Sequence, residues 1–365
     1  MRSLSPRSRR SKKQARSKSE LTVQFIYRYP DGVWPNTLAL AATLLLYPLG
    51  MGLMLASAAG WNVLGVVCMV LSLTWSAYFI HEFAHQAIFK EARINAGWGI
   101  LMSWLNGSCY ARFDDMRRKH MRHHVERADV ITFDAKGFLL KSPAWVRNSV
   151  LALEWAYIPA VEFLMRGFVI AMPFRISEKA NMADRARMLA IVVARWSALA
   201  LLAWVSVKAL LLYCLSVLVF VTLLRFADCF QYTYMAYPIL DDAPLPQDMV
   251  RDREYEQANT YSDVVGLGNG WGSRILNLVW LNFGFHNAHH DRPTLPWYGL
   301  PAHHRALYPS DYAQVITVRE LLRSFHVNRV KRILADDYGA VAPASAPGRA
   351  DGFLGAVGVS FLTAV

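Results

Sequence analysis

Four stretches of the chain are apolar for long enough to cross a bilayer, which takes about 20 residues in a helix. The first runs from about Asn36 to Ala58 with Pro48 inside it, and a short uncharged turn around Gly60 leads into the second, Trp61 to Ile80. The third and fourth, about Met188 to Val205 and Ala209 to Phe226, form another hairpin with Lys208 at its turn. Arg195 falls inside the third stretch, where it must face protein or snorkel towards an interface. A fifth apolar region, Val150 to Met172, carries Glu154, Glu162, Arg166 and Pro159. These make it costly as a lipid-exposed span, so it reads as interfacial or packed on material outside the bilayer. The pattern predicts an all-α integral membrane protein with four transmembrane helices in two hairpins.

Charge orients this arrangement. Arg2, Arg7, Arg9, Arg10, Lys12, Lys13, Arg16 and Lys18 form a Ser-rich basic tail, and Lys and Arg are again plentiful between residues 81 and 187. They are nearly absent from the two hairpin turns, which places the tail and the large basic segment on the cytosolic side. The expected organisation is a basic cytosolic tail over 1–34, a membrane domain over 35–335 and a loose Ala-, Gly-, Pro- and Ser-rich tail over 336–365. The apolar run Phe353 to Val365 is too short to span. With 54% hydrophobic and 18% charged residues, a net charge of +12 reads as contact with anionic headgroups. No nucleic-acid module accompanies the tail, so no nucleic-acid partner is expected, and the tail lacks the pattern of a secretory signal. Cys68, Cys109, Cys214 and Cys229 are scattered without a CxxC pair and read as packing residues.

The chemistry lies in the histidines. Of eleven in the chain, eight fall in three short windows: His81-Glu-Phe-Ala-His85, His120-Met-Arg-His123-His124 and His286-Asn-Ala-His289-His290. Residues three and four apart on a helix share a face, so each window presents its imidazoles together. The first window follows the second span at once, the second comes without a further crossing, and the third comes after one complete hairpin. All three therefore lie on one side of the membrane. Eight neutral imidazoles exceed the needs of one tetrahedral zinc and suit two first-row metals. Iron is the natural choice where dioxygen must be activated, since zinc has no redox chemistry. The remaining histidines, His303, His304 and His326, read as ordinary core or surface residues.

These windows resemble the three histidine boxes of the membrane fatty acid desaturase and hydroxylase superfamily. The third sits in Asn282-Phe-Gly-Phe-His286-Asn-Ala-His289-His290-Asp-Arg-Pro293, followed by Leu295-Pro-Trp-Tyr-Gly-Leu-Pro301. That context is similar to the third box of acyl-lipid and sphingolipid desaturases, and the likeness covers about residues 35 to 310. The resemblance implies a cytosolic helical cap carrying the metal site, and a di-iron oxidoreductase that uses dioxygen to introduce a double bond into a fatty acyl chain on a lipid, coenzyme A or carrier-protein support. It implies His81, His85, His120, His123, His124, His286, His289 and His290 as metal ligands, with no separate catalytic residue. A ninth ligand is expected from Gln231, Asn259 or water, since the stretch before the third box has no histidine. The heme-binding signature of a fused cytochrome b5 domain is absent, so electrons are expected from a separate donor such as a ferredoxin. The expected location is a cell inner membrane with the metal site facing the cytosol.

Other residues carry weaker signals. Glu82, Glu126, Asp129 and Asn282 either orient imidazoles or are solvated. Arg117, Arg118, Lys119 and Arg122 form a basic run that meets phosphate headgroups, an acyl carrier or an acidic redox partner, or is simply a solvated cytosolic face. A hydroxylase or ketolase of the same superfamily, acting on an alkane, acyl chain or carotenoid, is the nearest alternative. His81-Glu82-x-x-His85 also fits a zinc protease pattern, with Asp241 as a third ligand, but leaves six clustered histidines unexplained.

Overall fold

The computed structural model describes residues 26–131, 133–175, 182–229, 231–238, 246–266, 270–335, 346, 348–350 and 362–363. The basic tail before residue 26, Asp241 and most of the segment after residue 335 lie outside the described residues. Helices α1 (Val33–Leu55) and α2 (Ala59–Ala84) form the first hairpin. Helices α8 (Met182–Val205) and α9 (Val207–Asp228) form the second. With the short turn that opens α1, these are the four described helices long and apolar enough to cross a membrane. Between the hairpins lie α3 (Ala92–Asn106), α4 (Phe113–Glu126), α5 (Ala135–Lys141), α6 (Ala144–Trp155) and α7 (Ala160–Ala171). After them come α10 (Arg253–Ala258), α11 (Trp271–Asn277), α12 (His286–Asp291), α13 (Leu300–Leu307), α14 (Val318–Asn328) and α15 (Lys331–Leu334). The only strands among the described residues are β1 (Asp129–Ile131) and β2 (Ala236–Pro238), three residues each and paired in parallel. The protein is an all-α integral membrane fold.

The first hairpin is tight because glycine lets its backbones touch. A Cβ added at Gly65 would lie 2.9 Å from the Gly50 carbonyl oxygen, and one at Gly50 would lie 2.9 Å from that of Gly65. Close approach of this kind draws on dispersion, since lipid offers helices no hydrophobic drive to associate. Ser72 Oγ adds an interhelical hydrogen bond to Thr43 O at 2.7 Å. At the turn, Asn62 Nδ2 donates to Leu53 O at 3.0 Å and Ala56 O at 2.9 Å, satisfying carbonyls that α1 leaves open.

The second hairpin turns more sharply than its sequence suggests. Its connection is Ser206 alone, whose hydroxyl caps α9 by accepting from Ala209 N at 3.2 Å, so Lys208 belongs to the first turn of α9 and not to the loop. Lys208 Nζ instead donates to Ala56 O, at the turn of the first hairpin. Both turns therefore sit at one end of the bundle, and the chain segments between and after the hairpins emerge at the other. Arg195 faces protein as expected, with Nη1 on Trp104 O at 2.9 Å. The fifth apolar region does not span. It breaks at Tyr157, whose φ is +63°, into α6 and α7. Glu154 of α6 is buried against Arg225 of α9 and also accepts from Val161 N at 2.9 Å.

Candidate metal centre

Three elements deliver the eight clustered histidines to the end of the bundle opposite the hairpin turns. His81 lies in the last turn of α2 and His85 caps that helix. His120, His123 and His124 project from α4, and His286, His289 and His290 make up most of α12. Helix α4 is anchored to α2 by Arg117, whose Nε donates to Ala84 O at 3.0 Å.

The imidazoles sort into two adjoining groups. In the first, one ring nitrogen each from His81, His85, His120, His124 and His289 lie within 4.8 Å of one another. His85 Nε2 is 2.7 Å from His120 Nε2, and His124 Nε2 is 3.2 Å from both His120 Nε2 and His289 Nε2. The second gathers His123, His286 and His290: the His290 ring centre is 4.8 Å from that of His286 and 5.3 Å from that of His123. His124 borders this group too, 4.4 Å from His290 between ring centres. Residues four apart stay together, as in His81 with His85, His120 with His124, and His286 with His290. At spacing three, His289 turns to the first group, whereas His123 stands between the two, its ring centre 5.3 Å from those of both His124 and His290. Spacings of three and four fall on opposite sides of a helix face, which is how one short helix serves two centres.

These groups have the chemistry of metal sites. Burial, and behind it the repulsion of neighbouring imidazoles, holds His85, His120, His124, His286, His289 and His290 well below the ordinary histidine range. Neutral rings are the form that ligates a metal. His123 Nε2, His290 Nε2 and both ring nitrogens of His286 are buried without a hydrogen-bond partner. Buried polar atoms left so are costly, and a cation is the partner that satisfies several lone pairs at once.

Carboxylates hold two of these rings from behind. Asp129 Oδ1 is 2.8 Å from His123 Nδ1, and Glu256 Oε1 is 2.9 Å from His290 Nδ1. A carboxylate on Nδ1 fixes the tautomer that leaves Nε2 bare and makes the ring more basic. Asp129 is placed by the β1–β2 pairing, where its own N–H donates to Met235 O at 3.0 Å. Glu256 is held by Arg127, whose Nε donates to Oε2 at 2.9 Å. Tyr232 packs edge-on to His123 and His286, at 4.3 Å and 4.7 Å between ring centres.

Of the weaker candidates, Asp129 hydrogen-bonds an imidazole. Glu126 pairs with Arg122 at 2.9 Å. Glu82 Oε2 accepts from Trp297 N at 3.2 Å and Asn282 Nδ2 donates to Trp297 O at 3.2 Å. These two therefore clamp the loop after α12. Gln231 Nε2 is directed at Asp263 Oδ1, 3.4 Å away, and Asn259 bonds to Thr233 and Tyr255. His303 pairs with Asp291 at 2.8 Å, His304 packs between Phe285 and Tyr308, and His326 bonds to Tyr157 OH; all three stand apart from the centre. Glu256 has no signal in the sequence, because it lies in an exposed-looking Arg-Glu-Tyr-Glu run that gives no sign of a buried carboxylate.

A family model described as Fatty acid desaturase matches residues 56–321, which include all three histidine windows. Comparison with curated proteins gives no match.

Proposed function

The chain belongs to the fatty acid desaturase family and is thereby an oxidoreductase, and on that premise we propose that it holds two irons and introduces a double bond into a fatty acyl chain. The observation that carries this reading is the convergence of three sequence-distant histidine windows into one buried cluster, in which five imidazoles bring a ring nitrogen within 4.8 Å of one another. His81, His85, His120, His124 and His289 would hold one ion, and His123, His286 and His290 the other, with His124 between them. When bound, the pair of irons supplies the dioxygen-dependent redox chemistry that an unactivated C–H bond requires and that no side-chain acid or base provides.

The protein's own contribution is placement. Asp129 and Glu256 keep the Nδ1 protons of His123 and His290, so that both rings present a bare Nε2. Phe283, stacked on Tyr78 at 4.8 Å and edge-on to His81 at 4.4 Å, makes an apolar wall between the centre and the membrane helices. An acyl chain rising between the helices would meet that wall, which excludes water from the reacting carbon. The centre faces the cytosol of an inner membrane in this reading, in keeping with the positive-inside bias. Electrons come from a separate donor such as a ferredoxin. The catalytic unit is residues 35–335, flanked by the two tails.

Expression in a host of known lipid profile, followed by gas chromatography and mass spectrometry of its fatty acids, tests the proposal. A new fatty acid lighter by two hydrogens is the expected product. A product that gains oxygen instead assigns the chain to hydroxylation, and no new lipid from protein with both metals bound overturns acyl desaturation.

A further inference from the structure

Helices α5, α6 and α7 enclose an open groove of about 660 Å³ that is separate from the histidine groups. Its walls are apolar, with Phe133, Phe138, Leu153, Phe163, Leu164 and Phe168 prominent among them. Among the described residues, Arg175 is the only charged one in the lining. Its guanidinium lies 5.3 Å from the ring centre of Phe168, and among the described residues it has no carboxylate partner. An apolar trough bordered by a cation is the shape and charge of a site for an acyl chain bearing an anionic head.

The groove lies at headgroup level. Arg185, in the first turn of α8, donates from Nε to Pro173 O at 2.9 Å, so the segment carrying Arg175 is fastened where α8 leaves the bilayer. Glu154 ties α6 to Arg225 near the same end of α9. Around the groove, Leu140, Trp145, Trp155 and Phe174 are exposed, the aromatic and aliphatic fringe by which a helix rests in a membrane surface. The opposite side of α7 is used differently: Arg166 reaches to Gly107 O at 3.4 Å, so the groove side of this helix is left for the membrane.

We propose that this groove binds one acyl chain of an anionic glycerophospholipid of the surrounding leaflet, with the phosphate on Arg175. The occupant is a resident lipid and not the substrate at the metal centre, and the inference does not rest on the metal or reaction assigned above. Because the groove is open along its side, a chain still tethered to its headgroup can lie in it, which a closed tunnel would not allow. Bound lipid would brace α6 and α7 against the bundle.

Gly167 provides a clean probe, since a Cβ added there meets no atom within 4 Å, and a tryptophan can fill the trough without displacing backbone. The full-length protein would be placed in nanodiscs doped with diazirine-acyl phosphatidylglycerol or diazirine-acyl phosphatidylcholine, irradiated, and mapped by peptide mass spectrometry. Labelling of α6 and α7 peptides is expected to favour phosphatidylglycerol by about fivefold, the discrimination of one arginine at an anionic headgroup. Gly167→Trp should abolish that label, and Arg175→Gln should equalise the two lipids. Equal labelling by the two probes in the unaltered protein, label that survives Gly167→Trp, or absence of label from α6 and α7 overturns the proposal. If Gly167→Trp does not elute as a single species, the Arg175→Gln comparison decides, because that side chain has no described ion-pair partner to lose.

Discussion

Glu256 and His290, 34 residues apart, meet through a 2.9 Å hydrogen bond between Oε1 and Nδ1. The other carboxylate oxygen is held by Arg127, so the ring is oriented by a charge that is itself fixed. Replacing Glu256 by Ala frees the His290 ring and leaves the Arg127 Nε without its acceptor. Metal affinity is expected to fall by about 10–100-fold, the usual cost of losing such a partner. Metal content after dialysis against a graded chelator series would measure it, and unchanged retention would refute an orienting role.

Glu82 separates the fold's own use of the first window from a protease-like one. Its carboxylate accepts from Trp297 N and is buried beside His81. Glu82→Gln keeps an acceptor oxygen, so metal content and turnover should survive in large part. Glu82→Ala leaves the Trp297 N–H unsatisfied and should destabilise by about 1–3 kcal/mol. Thermal unfolding of the two variants, beside a product assay, gives the contrast; complete inactivity of a stable, metal-replete Glu82→Gln protein would contradict this assignment.

Gly65 is expected to be intolerant of any side chain. Valine there brings Cβ to 2.9 Å from Gly50 O, against backbone that cannot yield cheaply. The hairpin must separate, at a cost of about 1–3 kcal/mol. Gly52 serves as the control, since nothing lies within 4 Å of an added Cβ, and Gly52→Ala should leave the melting temperature unaltered. Equal behaviour of Gly65→Val and Gly52→Ala would show that the crossing is looser than described.

His304 should make stability fall in acid. Burial lowers its pKa from 6.5 to about 4, and both ring nitrogens are buried without hydrogen-bond partners. Below pH 6.5 the unfolded chain takes up a proton at this position that the folded chain refuses until about pH 4. Stability is therefore fully present above 6.5 and is lost progressively as the pH drops through that window. His304→Leu removes the proton uptake, so the variant should lose less stability than the parent between pH 7 and pH 5. Melting curves at the two pH values, both taken without added metal, make the comparison; parallel losses in parent and variant would rule out the effect.

What the sequence determined by itself was whatever depends on near neighbours. Span lengths follow from runs of apolar residues, and the shared side of the three histidine windows follows from counting crossings between them. Helical spacing made each window a cluster. It did not show that His289 leaves His286 and His290, or that His123 stands between His124 and His290, because a spacing rule fixes a face and not which of two centres that face borders. The tertiary structure alone decided the pairings of Asp129 with His123 and Glu256 with His290, the clamp of Glu82 and Asn282 on Trp297, and the groove ending at Arg175. Each depends on segments brought together by packing, and a polar side chain's partner is set by what is buried beside it once the chain is folded.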